Sequence, residues 1–249
     1  MDRIQIAQQN RQKLLGEDTT AMDTTDPELA AIRDRLVYGE LADKGTLSLH
    51  QKMLVTMVVL TASQTTDDIY VQTKAALRAG IAAPVIREAV LQCTPYIGFP
   101  KTQQALRYVS KCFSDMGIDV PENQATVTEE SRFADGLARQ KAIFGDAIDK
   151  MHASAPEGQK DIMVQHLTAF CFGDFYTRKG LDLKTRELLT FAIVSTLGGC
   201  EAQVKAHVQG NANVGNTKQN LTDCLCWMMP DIGFPRTLNA LACVNAVLK

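Results

Sequence analysis

Gly-Asp-Phe-Tyr-Thr-Arg-Lys-Gly-Leu-Asp-Leu, residues 173–183, decides the fold, because its framework occurs twice in the chain. Gly39-Glu40 followed by Leu47-Ser48-Leu49 returns as Gly173-Asp174 followed by Leu181-Asp182-Leu183, a shift of 134 residues. Ile97-Gly98-Phe99-Pro100 returns as Ile232-Gly233-Phe234-Pro235, a shift of 135. The chain of 249 residues is therefore a tandem pair of pseudo-symmetric halves, with one residue gained or lost between the two motifs.

Apolar residues recur with a helical period nearly everywhere, and no run of strict alternation bounded by turn residues indicates a strand. We therefore expect an all-α fold. In each half a helix should end near Gly39 or Gly173. A new helix should begin at Ser48 or Asp182, because both residues are good N-caps.

The helix that follows each cap is apolar on nearly all sides, which predicts a place at the centre of a bundle. In the second half Gly198-Gly199 should end this helix, and a second helix should run from about Cys200 to Val214-Gly215. A third helix should end before Pro230, and a last helix should run from Arg236 to about Val247.

The domain organisation follows from the repeat and from a polar, proline-containing stretch between its copies. We expect an N-terminal extension at 1–26 with a short helix around 4–15, a degenerate repeat at 27–118, a linker at 119–131, and a repeat with the intact site motif at 132–249. The short N-terminal helix has a possible counterpart just before the second repeat, because Arg-Gln-Lys occurs at both places.

Composition narrows the function classes. The formal net charge of −2 gives no electrostatic case for nucleic acid or an anionic membrane as partner. Neither a signal-peptide run nor a stretch of roughly 18 apolar residues is found, so we expect a cytoplasmic protein without a membrane span.

Seven cysteines without an export signal predict reduced thiols rather than a disulfide framework. Cys224 and Cys226 lack further ligands at zinc spacing, and we predict neither a metal nor a cofactor.

The two halves differ where chemistry would be expected. The second half carries Glu187, Cys200 and His207 between its two motifs. The first half has Met53 at the Glu187 position. At the other two positions it has Thr65 and Gln72, or Thr66 and Thr73, depending on where the gap falls. This asymmetry indicates that the second half alone has a complete site.

Helical spacing suggests how these residues could act together. If one helix covers 200–213, Cys200, Gln203 and His207 lie on one stripe, and a tight hairpin would bring Glu187 towards His207. A histidine oriented by a carboxylate can exchange a proton with a thiol or a bound substrate. Cys200 would also sit at a helix N-terminus, which stabilises a thiolate.

Each of these residues also has an ordinary structural explanation. Glu187 could serve the helix dipole, His207 could be a solvated or capped histidine, and Cys200 could be a small packing residue. Gln203 is better explained as a hydrogen-bonding pocket residue than as a catalyst. Arg178 could bind a carboxylated substrate, although a surface ion pair is the usual role of such an arginine.

Residues 173–188, the run from Leu197-Gly198-Gly199-Cys200 to His207, Asn213-Val214-Gly215 and 232–235 together resemble the carboxymuconolactone decarboxylase family. The match covers most of residues 133–249, and a weaker version covers about 27–117. The resemblance implies an all-α unit, similar to alkylhydroperoxidase D, that assembles around a three-fold axis. Single-repeat members commonly form hexamers, so this tandem chain would be a homotrimer.

The family has two chemistries, and both imply a small-molecule substrate. Its decarboxylases act on a carboxylated lactone, with a histidine at the position of His207, which favours lyase or proton-transfer chemistry with Glu187, His207 and Cys200. Its peroxidase members use a glutamate, a C-x-x-C pair and a histidine, so a thiol-dependent antioxidant activity centred on Cys200 is the alternative. Here Gln203 replaces the second cysteine. A non-catalytic oligomeric scaffold is a third possibility.

Overall fold

A computed structural model describes residues 2–119 and 123–249, and these form helices and connecting loops without a strand. The predicted all-α fold is thereby confirmed. The helices of the first half are α1 (Arg3–Leu15), α2 (Ala21–Thr25), α3 (Pro27–Leu36) with a π-helical continuation Val37–Leu41, α4 (Leu49–Ser63), α5 (Ile69–Arg78), α6 (Ala83–Gln92), α7 (Thr94–Ile97) and α8 (Phe99–Asp115). Those of the second are α9 (Arg132–Phe144), α10 (Ala147–Ser154), a 3₁₀ turn Glu157–Gln159, a π-helix Asp161–Tyr176, α11 (Leu183–Leu197), α12 (Glu201–Asn213) and α13 (Lys218–Val247).

The two central helices begin where their caps predict. Ser48 and Gln51 form a capping box at α4, and the Asp182 carboxylate accepts a hydrogen bond from the Thr185 backbone at α11. Most residues of both helices are buried, and α4 and α11 pack against each other. One continuous apolar core therefore joins the two halves.

The predicted hairpin in the second half is confirmed. Gly198 ends α11 with φ of 69°, a conformation that glycine adopts without the steric cost of a Cβ. Three residues later α12 begins, and it ends just before Val214 and Gly215. Thr217 then caps α13 with a capping box. The tight turn lays α12 back along α11, which brings their side chains within bonding distance.

Gly39 and Gly173 lie close to helix ends, as predicted from the sequence. Both lie inside π-helical segments that continue to Leu41 and Tyr176. A Cβ on Gly39 would clash with the backbone oxygen of Arg3 in α1, and one on Gly173 would clash with that of Arg132 in α9. The glycines are needed because two helix backbones cross there at close range, so α1 and α9 have equivalent roles in the two halves.

The helix predicted to end before Pro230 continues past it. Helical conformation persists through Ile232, and the break comes at Gly233, which has φ of 75° and ψ of 165°. A proline inside a helix leaves the carbonyl four residues earlier without its usual donor. Here that residue is Cys226, which is exposed to water, so the interruption is tolerated.

The domain boundaries drawn from the sequence stay a prediction. The proposed linker 119–131 lies partly outside the described residues. Its described part is attached to the second half, because Thr126 Oγ1 donates a hydrogen bond of 2.9 Å to the Thr177 carbonyl. Over the described ranges, no helix has both the length and the apolar character needed to cross a bilayer.

Candidate active site

A cavity of about 600 Å³ opens in the second half, between its helices and the α7 segment of the first half. His207 and Gln203 from α12 line it together, as their spacing predicted. The remaining wall is mostly apolar and aromatic. It consists of Pro95, Tyr96, Phe144, Ala147, Ile148, Met151, Ile162, Leu167, Phe170, Cys171, Phe172 and Ala206, with Gln140 and His166 as further polar residues.

A buried, hydrogen-bonded pair of side chains forms the polar end of this cavity. His207 Nδ1 lies 2.9 Å from Glu187 Oε2, and the Glu187 side chain is 0% exposed. With Nδ1 donating to the carboxylate, Nε2 is the ring nitrogen available to a molecule in the cavity. The Tyr96 and Phe144 rings pack against the imidazole in T-shaped arrangements, at centroid distances of 5.8 and 5.6 Å.

A series of hydroxyl groups continues from the other carboxylate oxygen. Tyr176 donates to Glu187 Oε1 at 2.8 Å, and its oxygen lies 2.8 Å from both Thr190 Oγ1 and the Tyr96 hydroxyl. Burial, followed by the nearby Glu187 charge, raises the pKa of Tyr176 well above its ordinary value. Burial also raises the pKa of the adjoining Cys171 thiol to about 12. These groups therefore stay protonated and act as hydrogen-bond donors at neutral pH.

The α11–α12 hairpin is tied together directly behind the pair. Asn211 Nδ2 donates to the backbone oxygens of Glu187 and His207, at 2.8 and 2.7 Å. Asn211 accepts in turn from Asn216 at 2.7 Å. Gly210 leaves room for the carboxylate, because a Cβ there would lie 2.5 Å from Glu187 Oε2. The Glu187–His207 pair is thus held in place by the Asn211 hydrogen bonds to the backbone and by the close approach of the two helices at Gly210.

Cys200 does not share this cavity. It precedes the first residue of α12 with a non-helical backbone (φ −133°, ψ 45°), so the stripe expected from helical spacing does not extend to it. Its thiol donates to the Val194 carbonyl at 3.2 Å and lines a separate cavity of about 10 Å³. Burial, then the Glu201 charge, raises the thiol pKa above its ordinary value. The expected thiolate is therefore not supported.

Arg178 also lies elsewhere. Its guanidinium makes a bidentate contact with Glu88 of α6, with Nε 2.9 Å from Oε2 and Nη2 2.8 Å from Oε1. Arg186 is 1% exposed and donates to Gln92 at 2.6 Å. Neither arginine lines the cavity. The charge of Arg178 is paired across the two halves, and its role in substrate binding stays a prediction.

Both halves of the chain match one known protein family. The model of the carboxymuconolactone decarboxylase family matches residues 27–111 and 163–246, which together make up more than half of the chain. The chain belongs to the carboxymuconolactone decarboxylase family. Each match lies within one half, so the duplication seen in the sequence is a duplication of the family's unit.

Two curated relatives match parts of the chain. A protein of Acinetobacter baylyi named 4-carboxymuconolactone decarboxylase is 30% identical over 84 residues, which are 34% of this chain and 63% of that protein. An uncharacterized 15.0 kDa protein from the nqo9-nqo10 intergenic region of Paracoccus denitrificans is 28% identical over 105 residues, 42% of this chain and 78% of that one. The chain thus aligns with less than two thirds of the first relative's length.

Several site residues of this family member were not found from the sequence. Tyr176 lies within the repeated motif and Tyr96 directly before Ile97-Gly98-Phe99-Pro100, but nothing in their spacing connects them to Glu187. The difference between the two halves could have identified Tyr96, because the residue at the equivalent position before the second motif is Asp231. Asn211 and Gly210 lie four and three residues after His207, on faces that only the helix packing identifies.

Proposed function

We propose that this chain is a family enzyme that transfers a proton in a lyase reaction on a small carboxylated lactone or a related oxo acid. His207 is the acid and base, and Glu187 is its positioning residue. The observation that supports this most is the 2.9 Å contact between His207 Nδ1 and the fully buried Glu187 carboxylate, at the polar end of an otherwise apolar cavity.

The paired carboxylate determines what the imidazole can do. The Glu187 carboxylate accepts from Nδ1 and so fixes the neutral ring with its proton on Nδ1, which leaves Nε2 as the nitrogen that exchanges protons. Nε2 can therefore give a proton and take one back. In a decarboxylation the bond between the carboxyl carbon and the ring carbon breaks, CO₂ leaves, and the electron pair stays on the carbon skeleton. His207 Nε2 then delivers the proton that this carbon or its conjugated oxygen accepts.

The cavity wall favours the same reaction. None of its lining residues, as far as the structure describes them, is a lysine or arginine. A carboxylate next to apolar side chains is costly unless it is paired, and its departure as neutral CO₂ removes that cost. The apolar wall therefore favours a substrate with a compact uncharged body and a carboxylate placed near His207.

The test is CO₂ release from 4-carboxymuconolactone and from simple β-oxo acids by the purified protein and by His207→Gln. General acid–base catalysis contributes about 10²–10⁴-fold, so we expect His207→Gln to lower kcat by at least about 100-fold. The matched control is His50→Gln, since His50 lies in the first half and contacts only the Ala79 carbonyl among its described partners.

Retained turnover in His207→Gln would contradict the assignment of the proton donor. Absence of turnover with every lactone and oxo acid in wild-type protein would contradict the proposed reaction class. The peroxidase alternative has less support, because Cys200 is outside the cavity and its thiol pKa is raised. A scaffold without chemistry has less support too, because Glu187 and His207 are in contact.

A further inference from the structure

The cavity of the second half is completed by the first half. Tyr96 belongs to α7, which lies between the α6 and α8 helices of the first half. It nevertheless lines the cavity beside His207, with its ring in a T-shaped contact with the imidazole. Its hydroxyl is 2.8 Å from that of Tyr176, 80 residues away in the chain. Among the residues that the structure describes, the other hydrogen-bond partners of the Glu187 carboxylate and of the Tyr176 hydroxyl come from the second half.

The first half lacks its own version of this chemistry. It has Ala42, Met53 and Gln72 where the second half has Tyr176, Glu187 and His207. Gln72 is the true counterpart of His207, because it lines the equivalent cavity of the first half whereas Thr73 is buried and donates to the Ile69 carbonyl. That cavity measures only about 70 Å³. The first half therefore supplies Tyr96 to a site that it does not itself possess.

The exchange is reciprocal. The counterpart of Tyr96 is Asp231, and Asp231 lines the first-half cavity together with Met53 and Gln72. Each half thus places the residue before its Ile-Gly-Phe-Pro motif in the wall of the other half's cavity.

We propose that Tyr96 is a positioning residue for the Glu187–His207 pair, acting across the two halves through the Tyr176 hydroxyl. The expected change in kcat rests on the proposed function. The hydrogen-bond coupling between Tyr96 and the Glu187–His207 pair does not depend on any reaction. The structure that carries it is the continuous series Tyr96, Tyr176, Glu187 and His207, joined by contacts of 2.8, 2.8 and 2.9 Å.

The direction of each donor follows from the carboxylate at the end of the series. Tyr176 donates its only hydroxyl proton to Glu187, so Tyr96 must donate to the Tyr176 oxygen. Donors in such a series polarise one another. Loss of the Tyr96 hydroxyl weakens the bond from Tyr176, and the carboxylate then accepts more strongly from His207. A merely space-filling ring at Tyr96 would have no such effect.

The experiment compares Tyr96→Phe, Tyr176→Phe and the double variant, with Tyr70→Phe as control. Tyr70 is on α5 of the first half and bonds only Asp115 among its described side-chain partners. The first measurement is the NMR resonance of the proton on His207 Nδ1. We expect it to move downfield in Tyr96→Phe, to move further in Tyr176→Phe, and to be no different in the double variant from Tyr176→Phe. Tyr70→Phe should leave it in place.

Kinetics on an active substrate provide the second measurement. A lost hydrogen bond of ordinary strength predicts a fall in kcat of about fivefold in Tyr96→Phe with KM little changed, whereas direct contact with substrate would raise KM. Thr190→Val is a second variant that removes the other donor to Tyr176, and it should move the same resonance. It keeps the inference testable if Tyr96→Phe does not fold.

An unmoved His207 resonance in Tyr96→Phe, with a clear shift in Tyr176→Phe, would overturn the coupling. Additive shifts in the double variant would overturn it as well, because independent effects add and linked ones do not. If the resonance behaves as expected while no lactone or oxo acid is turned over, the proposed function fails and the positioning role stands.

Discussion

At the scale of single residues, the site depends on how a buried carboxylate is satisfied. Glu187 has no exposure to water, and an unpaired charge in that position would be strongly destabilising. Tyr176 bonds one of its oxygens and His207 the other. Gly210 is the small residue that lets α12 approach closely enough for the second bond to form.

Gly210→Ala should therefore reverse the usual effect of alanine in a helix. Alanine normally stabilises a helix interior by about 1 kcal/mol relative to glycine. Here the new methyl group would lie 2.5 Å from Glu187 Oε2 and 2.9 Å from Phe144. We expect a loss of about 1–3 kcal/mol in urea unfolding, together with reduced turnover. Gly158→Ala is the control, since nothing lies within 4 Å of its added Cβ, and equal effects in both variants would contradict the explanation.

Cys200 should behave as a poor nucleophile. Because burial and the Glu201 charge raise its thiol pKa, less thiolate is present at neutral pH than for an ordinary cysteine. Alkylation by iodoacetamide, followed by mass spectrometry, should label the exposed Cys226 first and Cys200 slowly. The Cys200 rate should rise only as the pH passes above the ordinary range for a thiol. Rapid labelling of Cys200 at pH 7 would restore the peroxidase alternative.

At the scale of elements, local sequence signals located the helices but did not show where one helix packs closely across another. The caps at Ser48 and Asp182 predicted where α4 and α11 begin, because a cap is satisfied by its own neighbours. The close crossings of α1 at Gly39 and of α9 at Gly173 were not predicted, because local patterns do not show which helices pack together. The Tyr96 contribution was missed for the same reason, since it depends on how two halves pack.

Asn211 should be the main polar tie of the α11–α12 hairpin. Asn211→Ala removes two donated bonds of 2.8 and 2.7 Å and leaves the buried Asn216 amide without its acceptor on Asn211. We expect the free energy of unfolding to fall by about 2 kcal/mol. Gln209→Ala, on the exposed side of the same helix, should change it by less than about 0.5 kcal/mol. Comparable losses in urea titrations of the two variants would be evidence against this role.

At the scale of the whole molecule, a polar cluster links halves that the apolar core already joins. Glu88 of α6 is 0% exposed and receives the bidentate guanidinium of Arg178, whose side chain is 15% exposed. Arg186 lies 3.6 Å away from the same carboxylate. The pairing of residues 90 positions apart could not be read from sequence, because both arginines fit equally well on a protein surface. The homotrimer implied by the family resemblance stays a prediction.

Arg178→Met should be costly because it leaves the Glu88 carboxylate buried and poorly paired. Removing one partner of a buried pair costs about 3–5 kcal/mol, and we expect about 3 here since Arg186 remains nearby. Adding Glu88→Gln should restore part of the loss. Lys111→Met breaks an exposed pair with Asp115 and should cost less than about 1 kcal/mol in the same thermal or urea unfolding experiment. An Arg178→Met loss no larger than that would contradict the assigned role.

The packing of α4 against α11 has a consequence for synthesis on the ribosome. Residues 49–63 emerge long before residues 183–197, and the Trp227 indole that bonds the Lys52 carbonyl at 2.9 Å emerges later still. The nascent first half therefore exposes the apolar helix α4 before α11, which packs against it, has been synthesised. Contacts between such distant segments fold slowly and leave surface open to aggregation in the meantime. The fused gene thus secures one-to-one pairing of the halves at the cost of a vulnerable interval during translation.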